Sequence, residues 1–182
     1  MSVKTLSSEY ISRHQYFTAR KDSYQTETGK IVDPYFVVEL PMAAGIMAIT
    51  ENKEVVLVNQ YRHPVGESML ELPGGFIEAG EEPELAIRRE LLEETGYSCK
   101  SIHLLGKTAL NPGVLNNYTY MFLALGSVKT ASQQLDANEE IKVILIPLDE
   151  LKQMLMNNEI KQSMHALCMF YGFEYLTANK II

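Results

Sequence analysis

Glu90, Glu93 and Glu94 crowd together behind a glycine-rich turn. The stretch reads Gly75-Phe-Ile-Glu-Ala-Gly-Glu81, followed after seven residues by Arg89-Glu90-Leu91-Leu92-Glu93-Glu94-Thr95-Gly96-Tyr97. On a helix turning about 100° per residue, Glu93 stands about 60° to one side of Glu90 and Glu94 about 40° to the other. Leu85, Ile87, Leu91 and Leu92 are expected on roughly the opposite face, where they would pack. Like charges four residues apart cost a helix about 0.2–0.5 kcal/mol per pair, and a face that serves only solvation would intersperse lysines. Arg89 is the nearby cation on that side, four residues before Glu93 and able to pair with it. Such an oxygen-rich, cation-poor face suits a hard divalent metal. Mg2+ takes oxygen ligands, keeps several waters and commonly joins one or two carboxylates to substrate phosphates. The alternative is an ordinary acidic, solvated helix face, and the glycines in front of the helix weigh against it.

Those glycines have positions that matter. Gly74 and Gly75 follow a short apolar strand, Met69 to Pro73, and glycine lets the backbone approach a ligand closely. Pro83 sits where a helix begins, and Gly96 sits where it ends.

Gly75, Glu81, Arg89, Glu90, Leu91, Glu93, Glu94 and Gly96 are in register with G-x5-E-x7-R-E-U-x-E-E-x-G-U, where U is apolar. That is the pattern of the Nudix hydrolases, and the chain resembles this family. Tyr97 fills the last U, where an aliphatic residue is more usual. The resemblance implies an α/β fold, an α/β/α sandwich with a central mixed sheet and a loop–helix–loop catalytic motif. It also implies hydrolysis of a nucleoside diphosphate linked to another group, dependent on Mg2+ or Mn2+, with more than one ion. In the implied metal set, Glu90 and Glu94 are joined by Glu93, the Gly74 carbonyl and Glu139. Arg89 is expected to hold Glu93 in its rotamer.

Three further features resemble the ADP-ribose pyrophosphatase branch, taken to include broader nucleotide-sugar hydrolases. Val58-Asn-Gln-Tyr-Arg62 matches a strand ending in Gln-Tyr-Arg, Pro112 lies sixteen residues after Gly96, and Asp136-Ala-Asn-Glu-Glu-Ile141 matches a late loop that supplies another carboxylate. Ala137 stands where some of these enzymes carry a second glutamate, so the base would be Glu139, Glu140 or Glu93. After Pro112 the chain reads Val-Leu-Asn-Asn rather than an acidic-serine sequence. Both departures leave room for nucleoside diphosphate sugars besides ADP-ribose. Arg62, Glu71 and Pro112 are the candidate substrate-binding residues. A guanidinium offers bidentate hydrogen bonding to phosphate, while an ion pair with Glu67 or Glu71 is the other reading of Arg62. His63 reads as an ordinary loop histidine. Tyr16 and Phe17 either stack on a nucleobase or belong to a core or interface.

These groups need a scaffold. The chain has 182 residues and a net charge of -7, which fits one globular domain and argues against a binder gripping many nucleic-acid phosphates. The sequence has no long apolar run and no signal-peptide pattern. Cys99 and Cys168 form no metal or redox motif, and a cytoplasmic protein is expected. Residues 10–20 and 30–39 alternate like strands. A hairpin is expected over 42–50 and 55–61, a helix over 84–95, strands over 101–110, 118–125 and 142–146, and helices over 148–156 and 160–176. Met164, Leu167, Cys168, Tyr171 and Tyr175 are expected as the core stripe of the last helix. Residues 1–40 are expected to serve dimerisation and the base pocket, with 41–182 forming the Nudix hydrolase domain. The branch's dimers exchange N-terminal strands, and long strands left alone would expose sheet edges, so a homodimer is expected.

Overall fold

The computed structural model describes residues 2–14 and 17–181. Its N-terminal part forms a three-stranded antiparallel sheet of β1 (Lys4–His14), β2 (Phe17–Gln25) and β3 (Ile31–Glu39), in that order. The expected strand over 10–20 is the end of β1 and the start of β2, which pair from Lys4↔Gln25 to His14↔Phe17. Charge pairs lace the sheet: Arg20 binds Asp22 and Glu39, and Lys21 binds Glu9 at 2.9 Å. Residues 109–118 belong to the same compact unit. They run along β3, with Val38 N–H donating to Val114 at 2.8 Å and the Tyr35 hydroxyl donating to the Gly113 carbonyl at 2.7 Å. Val3, Leu6, Ile11, Phe17, Ile31 and Phe36 all remain exposed in this unit.

The second compact unit comprises Met42–Thr108 and Thr119–Ile182. Its strands are β4 (Ala43–Thr50), β5 (Glu54–Arg62), β6 (Glu67–Glu71), β7 (Gly74–Phe76), β8 (Tyr97–Ser98), β9 (Ser101–Thr108), β10 (Thr119–Lys129) and β11 (Ile141–Pro147). Its helices are α1 (Pro83–Thr95), α2 (Leu148–Met156) and α3 (Ser163–Ala178). The sheet runs β11-β5-β4-β10-β8, with β6 on β5, β7 on β4 and β9 on β10. It is mixed, because β4 and β10 pair in parallel while β5, β7 and β9 join antiparallel. The expected strands and helices are present within a few residues. The very short β7 and β8 were not foreseen, because two or three residues carry no readable alternation.

Successive strand residues face opposite sides, and β4 uses both. Ala44, Ile46 and Ala48 join Ala86, Ile87 and Leu91 of α1 in one buried cluster. On the other side, Met164 of α3 lies over Gly45, and Met47 lies against Gly172 of α3. A strand covered on both faces needs a continuous apolar run rather than alternation, which Ala43–Ile49 supplies. The result is the expected three-layer α/β/α arrangement. No described helix is long and apolar enough to cross a membrane.

Two expectations about helix faces are corrected. Leu85 and Leu92 are 61% and 37% exposed, whereas Ile87 and Leu91 are fully buried. At about 100° per residue, Ile87 and Leu91 stand about 60° and 100° from Glu90, on the same side as Glu94, with Leu85 and Leu92 opposite. The buried stripe therefore adjoins the carboxylates and takes Glu94 with it. In α3 the buried stripe is Met164, His165, Cys168, Met169, Gly172, Phe173 and Leu176, while Tyr171 is exposed and Leu167 and Tyr175 are half-buried. Tyrosine at the edge of a stripe keeps its hydroxyl available, and the Tyr175 hydroxyl meets His103 Nδ1 at 3.1 Å. Ile87→Ala is expected to lower the unfolding free energy by about 2–5 kcal/mol, and Leu85→Ala to change it by no more than about 0.5 kcal/mol. Urea titration of the two variants measures the difference.

Candidate active site

The site is built from a turn and a helix laid against each other. α1 opens with Pro83 at its first position and stops at Gly96, which has φ 76° and donates its N–H to the Leu92 carbonyl at 2.7 Å. Only glycine takes that left-handed conformation without strain. β6 passes through Leu72-Pro73 into β7, and this crossing brings Gly74 and Gly75 under α1. The Gly74 N–H donates to Glu94 Oε2 at 2.8 Å. Gly75 faces Glu90 so closely that a Cβ there would lie 2.6 Å from the carboxyl carbon. One glycine thus binds one carboxylate, and its neighbour makes room for another.

Arg89 organises the exposed side. Its Nε and Nη2 take both oxygens of Glu81 at 3.1 and 3.0 Å, and its Nη1 donates to Glu90 at 2.9 Å and to Glu93 at 3.1 Å. The expected Arg89–Glu93 pair is present, within a wider cluster. Glu81 also accepts the Glu78 N–H at 3.0 Å, so Arg89 ties the loop before the helix to the carboxylate row. The Glu81 hydrogen bonds, the largest influence, raise the Arg89 pKa further above its ordinary value, and Glu90 and Glu93 add to this.

Glu94 is only 6% exposed. Burial pushes its carboxyl up to about 8, the Gly74 N–H opposes this, and the charges of Glu90 and Glu139 push it further. Burial also raises Glu90, against Arg89, with Glu93 and Glu139 raising it as well. Glu139 therefore bears electrostatically on both carboxylates. Its own Oε2 accepts the Asp136 N–H at 3.1 Å inside the 130–140 loop. α1 carries no basic residue in its last turn, so Glu93 and Glu94 stand at the negative end of the helix dipole uncompensated by a cation on that turn.

Arg62 turns its bidentate edge to Glu71, with Nε–Oε1 at 3.1 Å and Nη2–Oε2 at 2.5 Å. Glu71 is 1% exposed while the Arg62 side chain is 43% exposed. Glu71 raises the Arg62 pKa, with Glu94 and Glu139 adding to it against desolvation. His63 lies beside the Tyr61 ring. Pro112 is exposed and belongs to the N-terminal unit, as does the exposed Phe17; Tyr16 lies outside the described residues. Glu140 is exposed beside Glu139. Two residues escaped the sequence reading. Gln133 donates its amide to the Glu94 carbonyl at 2.7 Å and to the Ile141 carbonyl at 3.2 Å, closing the base of the Glu139 loop on the helix end. His165 is buried beside Glu71, with Nε2–Oε2 at 4.0 Å. Neither sits in a local pattern; only their place on a polar loop and on the α3 stripe could have pointed to them.

A family model described as the NUDIX domain matches residues 39–167. The chain belongs to the Nudix family. A second model, the nucleoside diphosphate sugar hydrolase N-terminal domain, matches residues 3–38. The Nudix chain is 32% identical to a methanol dehydrogenase activator of Bacillus methanolicus, over 92% of this chain and 91% of the relative. It is 28% identical to an ADP-ribose pyrophosphatase of Bacillus subtilis, over 99% and 98%, and 31% identical to an ADP-sugar pyrophosphatase of Mus musculus, over 95% and 87%. A crystal structure of an ADP compounds hydrolase shares the fold with TM-score 0.87, at 20% identity over 100% of this chain and 98% of that one.

Nudix pyrophosphatases generally need a divalent metal. Among the described residues no three acidic, histidine or cysteine groups stand together in a metal-holding arrangement, and Arg89 occupies Glu90 and Glu93. The donor set nonetheless fits a hard cation. It offers only oxygens, and Glu94 is a carboxylate whose pKa is raised first by burial and then by the neighbouring charges of Glu90 and Glu139.

With a chelator present, Glu94 holds its proton more tightly folded than unfolded, so its ionisation removes stability as pH rises from about 4.5 toward about 8. Glu94→Gln removes that loss. The variant's Tm relative to wild type is expected to rise between about pH 5 and about pH 8.5, and thermal denaturation profiles that run parallel would count against the buried-carboxylate assignment.

Proposed function

We propose that this Nudix protein hydrolyses the pyrophosphate bond of nucleoside diphosphate sugars, ADP-ribose among them, giving a nucleoside monophosphate and a sugar phosphate. The observation that carries the reading is the carboxylate row of α1 seated on Gly74 and Gly75, with the half-exposed Arg62 electrostatically coupled to it. The family models and the relatives named ADP-ribose, ADP-sugar and GDP-mannose pyrophosphatase support the substrate class.

Glu90 and Glu94, with Glu93, the Gly74 carbonyl and Glu139, would hold Mg2+ or Mn2+, more than one ion. When bound, the metal supplies charge neutralisation at the diphosphate and a water of lowered pKa. Arg62 spends Nε and Nη2 on Glu71 and keeps Nη1 for a phosphate or sugar oxygen. Glu71, being buried, acts on substrate through Arg62 by fixing its plane. Arg89 keeps Glu90 and Glu93 from splaying apart and holds Glu81 against the helix, a positioning role. Glu139 serves as a further oxygen donor or as the base, for which Glu93 and Glu140 are the other candidates. Pro112 belongs to the substrate-binding set on its spacing from Gly96.

Residues 1–40 serve dimerisation and complete the base pocket, with 41–182 as the hydrolase domain. The exposed Leu6 and Ile11 of β1 support a homodimer, since an open apolar edge strand invites pairing. Free thiols at Cys99 and Cys168 support a cytoplasmic setting. The likeness to a methanol dehydrogenase activator does not displace hydrolysis, because every motif carboxylate is retained.

A screen of ADP-ribose against ADP-, GDP- and UDP-hexoses with Mg2+ tests the substrate class, with release of AMP, GMP or UMP as the readout. Hydrolysis of nucleoside triphosphates alone would overturn it. Glu94→Gln is expected to lose more than about a hundredfold in kcat, since even outer partners of a metal ligand cost about 10–100-fold, while its circular dichroism stays that of wild type. Sedimentation equilibrium is expected to show a dimer, and a monomer at micromolar concentration would remove the N-terminal strands from that role.

A further inference from the structure

We propose that His165 is a positioning residue of the hydrolytic site: by accepting the Leu72 N–H at Nδ1, 2.6 Å away, it fixes the Glu71–Gly74 turn so that Glu71 faces Arg62 and the Gly74 N–H reaches Glu94. The proposal rests on the hydrolase reading of the same site.

The β5–β6 ladder runs from Arg62↔Glu67 to Val58↔Glu71 and stops there. Leu72 is 1% exposed, and its N–H has left the ladder. Pro73 has no N–H to offer. The chain must therefore cross from β6 to β7 through two residues without ladder donors, and an unpaired buried N–H is strongly disfavoured. The Pro73 carbonyl is held by the Ile46 N–H at 3.0 Å, and the Leu72 N–H is held by His165. These two bonds, one from the sheet and one from α3, bracket the segment whose ends carry Glu71 and Gly74.

His165 is itself held. It lies in the first turn of α3, its N–H donates to Gln162 Oε1 at 3.0 Å, and it is 6% exposed. A ring accepting at Nδ1 carries its proton on Nε2, which then faces Glu71 Oε2 from 4.0 Å. Burial holds the ring neutral by lowering its pKa to about 4, with Glu71 opposing and Arg62 assisting. A neutral imidazole keeps the Nδ1 lone pair that the Leu72 N–H requires.

A histidine that merely fills the core would be replaceable by any side chain of similar bulk; one that positions the turn is replaceable only by an acceptor at the same place. In His165→Asn the Oδ1 takes the position of Nδ1, whereas in His165→Gln the acceptor lies one methylene further out and in His165→Leu there is none. Hydrogen exchange at the Leu72 and Gly74 amides is measured in metal-free protein, and kcat and KM for ADP-ribose in the metal-loaded enzyme. His165→Asn is expected to keep slow exchange at both amides and recover most of kcat. His165→Gln and His165→Leu are expected to exchange about tenfold faster at both amides and to lose about tenfold in kcat with a smaller change in KM. Equal losses in the Asn and Gln variants overturn the proposal, as does unchanged exchange at Leu72 and Gly74 in the Gln variant. Should the Leu variant not fold, the Asn and Gln pair decides. The exchange arm uses no substrate, so a wild type inactive on every nucleotide sugar would sink the hydrolase reading and leave the positioning result standing.

Discussion

A buried carboxylate at the wrong end of a helix is the constraint on which this structure turns. Glu94 lies at the C-terminal end of α1, where the helix dipole disfavours negative charge by about 0.3–1 kcal/mol, and it is sheltered from the water that would otherwise stabilise it. The fold answers with one backbone N–H, from Gly74, and an arginine five residues earlier bonded to its neighbours Glu90 and Glu93. That compensation is incomplete by design of the chain: the carboxyl stays raised to about 8. A buried carboxylate with so little compensation costs the fold stability when it ionises.

The other elements can be read as consequences. Gly74 must come close enough to donate, so β7 pairs with β4 at Gly45↔Gly74 and tolerates no side chain against the Ala44 carbonyl. The helix must be held at a fixed height above that turn, which the Ile46, Ile87 and Leu91 cluster does from below and the Gly96 stop does from the end. Beyond Gly96 the chain is caught again, as the Thr130 and Ala131 N–H groups donate to the Gly96 carbonyl at 2.8 and 3.1 Å. Gln133 then links the helix end to Ile141. The loop bearing Glu139 is thus anchored at its base and left exposed at its tip.

What was legible in the sequence is what short-range geometry dictates. The helix limits follow from Pro83 and Gly96, and the metal-like carboxylate row follows from the spacing of Glu90, Glu93 and Glu94. The layers follow from apolar strand runs interleaved with helices. The apolar face of α1 follows less simply: Leu85 and Leu92 are exposed, because the buried stripe lies beside the carboxylates rather than behind them. Contacts between distant residues were invisible for a different reason. His165 and Leu72 are 93 positions apart, and nothing in either neighbourhood marks the other. The Arg62–Glu71 pair was foreseen only as one of two options, since the sequence could not say which carboxylate the β5–β6 register would bring opposite; the register sets Arg62 against Glu67, yet the side chain reaches along the strand to Glu71.

The two arginines divide the electrostatic work unequally. Arg89 is committed to four partners, Glu81, Glu90, Glu93 and the Phe76 carbonyl, and a guanidinium so fully used has no donor left with which to select among ligands. Arg62 is tied through Nε and Nη2 to Glu71, and its side chain is 43% exposed. A guanidinium held rigid by a buried carboxylate loses less entropy on meeting a second anion than a free one does. Arg62 therefore keeps donor capacity for a second anion, whereas Arg89 is used up in holding the α1 carboxylate row to the loop before the helix.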